Sequence, residues 1–220
     1  TPRVQVFTGS GEQIGSYEPE QLGLYGPNGI SVGIEGREGK GYLAIASTGQ
    51  NRIAKYPAIN EVKEGRATLP QDQQSITITE GDAFEQPVEV VSLTSPEGAA
   101  IFYAIDLKDR VVEVGRQGEG EGWGISGQWR VPVGRDDSGS RLAITADGKT
   151  IYMSDIDRRR VAIIELESGT VRYFESAGRE GEGGEFRAPS GIAVGPDGRL
   201  YVLDRERANV QIFTIGGPSR

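Results

Sequence analysis

The feature that most restricts this chain is a pattern that returns four times along its length. A bulky residue, two further residues and a proline lead into a short apolar strand, a tight turn, a second apolar strand and a third. The clearest copy runs Phe186-Arg-Ala-Pro189-Ser-Gly-Ile-Ala-Val194, Gly195-Pro-Asp-Gly198, Leu200-Tyr-Val-Leu-Asp204 and Asn209-Val-Gln-Ile-Phe213. Others begin at Leu24-Tyr-Gly-Pro27, Phe84-Glu-Gln-Pro87 and Trp129-Arg-Val-Pro132, and a partial copy opens the chain as Arg3-Val-Gln-Val-Phe7. The four prolines are 45–60 residues apart.

Each part of the pattern has a physical job. Proline fixes φ and cannot sit in mid-ladder, so bulky-x-x-Pro predicts a rigid lead-in to a strand. Glu38-Gly39, Glu97-Gly98, Asp147-Gly148 and Asp197-Gly198 fall where a tight hairpin turn needs positive φ. Runs such as Leu200–Leu203 are apolar without alternation and predict a strand covered on both faces, whereas Val4/Val6 and Val210/Ile212 alternate and predict one buried face.

A period of this length suits a four-stranded propeller blade with variable loops. A parallel α/β fold would need amphipathic helices between the strands, and the sequence shows none. A β-sandwich gives no reason for one pattern to recur four times. The prediction is an all-β propeller of four-stranded antiparallel blades, one domain over 1–220, with repeats near 3–22 (partial), 24–80, 84–122, 129–177 and 186–215. About seventeen strands can be counted, the one between Gly115 and Trp129 being poorly marked. The chain starts and stops on the third strand of a blade, and closed four-stranded blades require a multiple of four. The expectation is a piece of a larger propeller or an opening filled by another chain; the competing reading pairs Arg3–Phe7 with the final blade.

Composition narrows the chemistry. There is no His and no Cys, which removes the usual general base near neutral pH, thiolate chemistry, disulfides and Cys-based zinc sites. The net charge of −8 argues against broad phosphate neutralisation, so nucleic acid is not expected as a partner. No apolar run reaches the length of a membrane span. The start at Thr1-Pro2 reads as processed or truncated, which predicts an exported protein: periplasmic, envelope-associated or extracellular.

The last copy resembles the NHL repeat. Gly178–Phe186 followed by Pro189-Ser-Gly-Ile-Ala-Val194 is similar to that family's loop and first strand, and the step from Asp204 to Asn209 into Val210–Phe213 is similar to its later hairpin. Gly29-Ile-Ser-Val32 and Gly49-Gln-Asn-Arg52-Ile53 match it as well, while the middle copies diverge, with Ser140-Arg141 in place of Gly-Ile and no Gly before Val88. The resemblance implies a platform for protein, and sometimes RNA, recognition. A weaker resemblance, around Gly39–Asn51, is to the β-propeller phytases, which hold Ca²⁺ with acidic residues. Here Asn28 and Ser190 stand where that family would carry Glu, which removes hard-cation ligands.

Candidate site residues cluster in the second-to-third strand turns. Asp106, Asp109, Asp155, Asp157, Asp204 and Glu206 read either as a carboxylate ring able to bind Ca²⁺ (Asp155, Asp157, Asp204 and Glu206 as ligands) or as turn residues whose side chains accept backbone N–H bonds. The same turns hold Lys108, Arg158, Arg159, Arg205 and Arg207, which would gather on one rim as a recognition surface for a protein. Trp123 has no role in the repeat and reads as a loop contact residue; Trp129 occupies the bulky position and reads as core. The Gly- and Glu-rich loops 115–122 and 178–184 have the wrong charge for a phosphate cradle and read as connections. The function expected is a non-catalytic platform that binds a protein partner or a second propeller segment. The alternatives are a Ca²⁺-dependent phytase-like or lactonase-like hydrolase and a purely structural subunit.

Overall fold

The computed structural model describes residues 3–17, 23–36, 38–57, 62–63, 66–67, 76–78, 84–116, 122–132, 139–175 and 185–215. Nineteen strands and no α-helix occur among them. The fold is all-β, made of antiparallel sheets of the propeller type, mostly four-stranded. No helix among the described residues is long and apolar enough to cross a membrane.

The chain opens with a two-stranded sheet, β1 (Val4–Phe7) and β2 (Gln13–Tyr17). Next comes a four-stranded sheet of β3 (Pro27–Glu35), β4 (Lys40–Ser47), β5 (Arg52–Pro57) and β8 (Ile76–Ile78), with a small hairpin of β6 (Val62–Lys63) and β7 (Arg66–Ala67). The strands β9 (Pro87–Thr94), β10 (Ala100–Asp106), β11 (Arg110–Arg116) and β12 (Trp123–Arg130) form the next sheet. The following sheet contains β13 (Leu142–Ile144), β14 (Thr150–Asp155), β15 (Arg160–Glu165) and β16 (Val171–Glu175). The last has three strands: β17 (Pro189–Val194), β18 (Arg199–Asp204) and β19 (Asn209–Thr214). The strand that sequence marked poorly is β12, and it carries the sheet begun at Pro87 through to Arg130. The loop residues 117–121 and 178–184 lie outside the described residues.

The turn chemistry follows the pattern. Gly39, Gly98, Gly148 and Gly198 have φ of 64–87°, and all four donate their N–H to the carbonyl three residues back, closing the first hairpin of their sheets. The second hairpin has its own device: Asn51, Asp109, Arg159 and Ala208, each just before the third strand, adopt φ of 51–58°. None is glycine, so in each of the four larger sheets the third strand begins at the cost of a left-handed residue.

Two compact units can be separated, Thr1–Asp106 with Val112–Gly127, and Leu107–Val111 with Gln128–Arg220. In the first, one core gathers Tyr42, Ala44, Ala46, Ile53, Phe102, Val112, Val114 and Trp123, and another gathers Leu24, Leu43, Ile45, Ala54 and Tyr56 beneath Val4 and Val6. The strands β3 and β9 approach closely because β3 offers Gly29 and Ser31 to its neighbour. The Ser31 and Ser92 hydroxyls bond at 2.8 Å, and the Thr94 hydroxyl donates to the Ile34 carbonyl at 2.6 Å. Inside the first core Lys55 is 5% exposed, paired with Glu35 and lying over the rings of Tyr42 and Trp123 at 5.2 and 5.5 Å.

In the second unit, Tyr152, Val161 and Phe174 pack against Phe186, Leu200, Val202 and Phe213. Phe174 stands edge-on to Phe186 and Phe213 at centroid distances of 5.9 and 4.9 Å. The second strands β4, β10 and β14 are covered on both faces, as their unbroken apolar runs predict. The last sheet departs from expectation. Val210 and Ile212 are each 55% exposed and Leu203 is 42% exposed, while Gln211 and Phe213 turn towards the neighbouring sheet. The alternation is real, but the apolar side of β19 is the uncovered one, because no described segment packs on that face.

Candidate protein-recognition rim

The repeated aspartate ends the second strand and is buried. Asp204 is inaccessible to solvent and accepts N–H bonds from Arg187 at 2.7 Å, Ala188 at 3.0 Å and Arg207 at 3.2 Å. Asp106 does the same with the N–H groups of Glu85 and Gln86, at 3.0 and 2.8 Å. Each carboxylate therefore pins the two residues between the bulky residue and the proline, which is why that spacing and that aspartate recur together. In the first repeat Ser47 takes the place and accepts from Tyr25 N–H at 3.2 Å. Burial alone would raise the Asp204 carboxyl, but the three N–H donors and the Arg207 guanidinium outweigh it and hold the group below the ordinary aspartate value.

Asp155 is equally buried and is engaged differently. It accepts the Arg158 N–H at 3.1 Å and the Arg160 Nε–H at 2.8 Å, and Arg160 is stacked 3.6 Å from the Tyr173 ring centre. Of the four acids read as calcium ligands, then, Asp155 and Asp204 face inward with their oxygens committed, whereas Asp157 and Glu206 are exposed on the hairpin tips. The turn-chemistry reading describes the buried pair. Among the described residues no three of His, Cys, Asp and Glu come together as a metal ion would need.

The basic residues of the second unit do reach one rim. Within the hairpin of Lys108, the Asp109 carbonyl accepts the Val131 N–H at 2.9 Å. Next to Val131, the Pro132 carbonyl accepts from Arg158 at 3.0 Å. The Ser154 hydroxyl at the base of that turn donates to the Ser190 carbonyl at 2.9 Å, and the Arg205 N–H to the Ala188 carbonyl at 3.0 Å. These bonds chain the turns 107–109, 156–159 and 205–208 along a single edge. Lys108, Arg159 and Arg205 are exposed there, and Arg158 is 39% exposed with Asp155 3.7 Å away. Arg207 does not belong with them: it is 18% exposed, held between Glu185 and Asp204, and serves the fold.

Trp123 corrects a sequence reading. It lies on β12, not in a loop, and is 6% exposed with its ring 5.2 Å from Phe102. Its size and the core position opposite Phe102 bury it, so it is no contact residue. Trp129 is buried as expected, on the same strand. Two rim residues escaped the sequence reading, Arg130 and Arg187, both exposed. Each directly follows the bulky residue of its repeat, in Trp129-Arg130 and Phe186-Arg187. The aspartate latch holds the second of these segments at the rim, and the Val131 to Asp109 bond holds the first.

Residues 186–213 match the NHL repeat. The last sheet is an NHL repeat. No curated protein matches the chain in sequence. Solved structures match in fold. A protein described as a candidate 6-phosphogluconolactonase from Bacteroides fragilis NCTC 9343 superposes with a TM-score of 0.60 at 17% identity, over 96% of this chain and 60% of that one. A chain of a nidogen–laminin complex gives 0.61 at 15% identity, over 97% and 68%. The β-propeller domain of Cps50 (Swd1) from Myceliophteria thermophila gives 0.52 at 12%, over 86% and 51%. At such identities the likeness is one of fold: the chain has a β-propeller fold, and its residues 186–213 carry an NHL repeat. It spans about three fifths of the length of the lactonase-like relative.

Proposed function

We propose that this NHL-repeat propeller is a non-catalytic protein-interaction platform, acting within an exported or envelope-associated assembly. Its second unit takes an acidic segment of a partner along the rim. The observation that carries the reading is charge. On a chain of net charge −8, one rim presents Lys108, Arg130, Arg159, Arg187 and Arg205 against the exposed acids Asp157 and Glu206. Asp106, Asp155 and Asp204 are buried, with their oxygens hydrogen-bonded inside the fold. Arg159 and Arg205 make no side-chain bond to any described residue, so pairing them with a partner's carboxylates breaks nothing in the fold. Guanidinium forks suit bidentate carboxylate recognition better than point charges do. The fold is shared with proteins of several kinds and does not choose among them.

The test is to replace Arg130, Arg159 and Arg205 together by Gln and to titrate with an Asp/Glu-rich peptide at low and high salt. Weakened binding is expected, mostly through slower association and mostly at low salt, with an unchanged melting curve. Equal affinity at low salt would remove the rim from consideration.

A further inference from the structure

We propose that the turn surface of the first unit around Tyr25 is a saccharide-binding site. The phenol ring carries an uncharged pyranose, and the amides of Gln50, Asn51 and Gln86 bind its hydroxyls. These residues all belong to the first unit, and none is a residue of the basic rim.

Tyr25 is 71% exposed. The exposure belongs to its position in the repeat: Glu85, Arg130 and Arg187 also follow the bulky residue of their copies, and all three are exposed. In the first copy that outward position is filled by an aromatic.

The ring is held in place beforehand, which lowers the entropy lost on binding. Tyr25 N–H reaches Ser47 Oγ at 3.2 Å and Gln50 Oε1 at 3.1 Å. Its carbonyl accepts the Ser47 hydroxyl at 2.9 Å and the Gly49 N–H at 3.1 Å, and Ser47 is buried. The side chain lies against Gly49, where a Cβ would come within 2.4 Å of the ring carbon Cδ1. Glycine at 49 therefore makes room for the ring.

The groups around the ring are neutral. Gln50 Oε1 also takes the Arg52 Nε–H at 3.1 Å, so this oxygen is engaged inside the turn and the NH2 group is left for a ligand. Asn51, the left-handed residue of the hairpin, is exposed. The Thr48 hydroxyl donates to the Pro87 carbonyl at 2.7 Å, which brings the exposed Gln86 to the same turn. Neither the Gln50 NH2 nor the side-chain amides of Asn51 and Gln86 bond to any described residue.

This set of groups selects among ligands. A pyranose has a face of C–H groups, which suits the electron-rich face of a phenol, and hydroxyls that both donate and accept, as amides do. An anion would need a free cation, and the guanidinium of this turn, Arg52, is engaged by Gln50 and by the Gly23 carbonyl at 2.5 Å. Proline-rich peptides dock in grooves lined by aromatics, and quaternary ammonium groups in aromatic cages. Here the segments 23–27, 48–52 and 85–87 carry one aromatic, Tyr25.

The probes are cellotetraose, maltotetraose and chitotetraose, each titrated into the full chain and followed by saturation-transfer NMR. Saturable binding of at least one is expected. Tyr25→Ala should weaken it about tenfold or more without changing the melting temperature, since the side chain is exposed. Asn51→Gly, which suits the left-handed turn and removes only the amide, should weaken it less. Gly49→Ala keeps every contact group but displaces the ring, so it should act as Tyr25→Ala does. Failure of all three sugars to bind would overturn the proposal, and so would an affinity unchanged in Tyr25→Ala. Tyr25-dependent binding of decaproline in place of the sugars would overturn it too, by giving the ring to a peptide. Replacing Arg130, Arg159 and Arg205 by Gln should leave the sugar's affinity unchanged, and Tyr25→Ala should leave that of the Asp/Glu-rich peptide unchanged, so the two sites fail separately.

Discussion

Asp204 shows how much one side chain organises. Its two oxygens take three backbone donors and thereby orient the lead-in to β17, the turn 205–208 and the rim residue Arg187 together. Replacing it with Asn leaves one acceptor oxygen and sets an N–H group against an N–H donor, which should cost about 2 kcal/mol. The pH dependence has a definite sign. A carboxyl held below its unfolded value, about 3.9, contributes stability that is present above that value and lost as pH falls through the folded value. Urea midpoints of wild type and Asp204→Asn should therefore differ most above the unfolded value and converge as the solution is acidified through the lower, folded one. A difference that stays constant with pH would mean that Asp204 acts through shape alone. The sequence made this aspartate conspicuous by repeating it; that it faces inward depends on which N–H groups the fold brings beneath it.

At the scale of elements, the close approach of β3 to β9 rests on residues without side-chain bulk. A Cβ at Gly29 would lie 2.5 Å from Glu89 Cα and 2.8 Å from Val90 N, both backbone atoms that cannot swing aside. Gly29→Ala should accordingly destabilise the first unit by about 1–3 kcal/mol, and hydrogen exchange should report the loss in β3 and β9 before the second unit. If the variant melts like wild type, the two strands are not in that contact. The strand pattern was readable for most elements because the turn glycines and the prolines punctuate it. The exception is β12, whose Trp-Gly-Ile-Ser-Gly-Gln-Trp-Arg has two glycines and little alternation. Only the pairing with β11 and the Phe102 ring against Trp123 declare it a strand.

At the scale of the whole molecule, the apolar surface is distributed unevenly. On β3, Ile30, Val32 and Ile34 are 51%, 73% and 57% exposed, and Val210 and Ile212 repeat the situation on β19. Contiguous stripes of this kind promote association unless something covers them. The double variant Val32→Lys, Val210→Lys should then keep the wild-type melting temperature, since neither side chain is buried, while lowering the light scattering that builds up at high protein concentration and high salt. Scattering equal to wild type would show that the stripes are already covered.

What the sequence determined by itself is the repeat and, with it, the class of fold: period, turn glycines and lead-in prolines are local, and local chemistry repeats faithfully. The exclusion of His- and Cys-based chemistry is likewise a matter of composition alone. Which side of a repeated residue does the work was decided only by tertiary structure. Asp155 and Asp204 turned inward while Arg159 and Arg205, a few positions along, turned out. Trp123 was drawn into a core by a distant Phe102. The alternating Val210 and Ile212 were left bare because burial depends on the neighbour, and no neighbour is written into the strand that needs one.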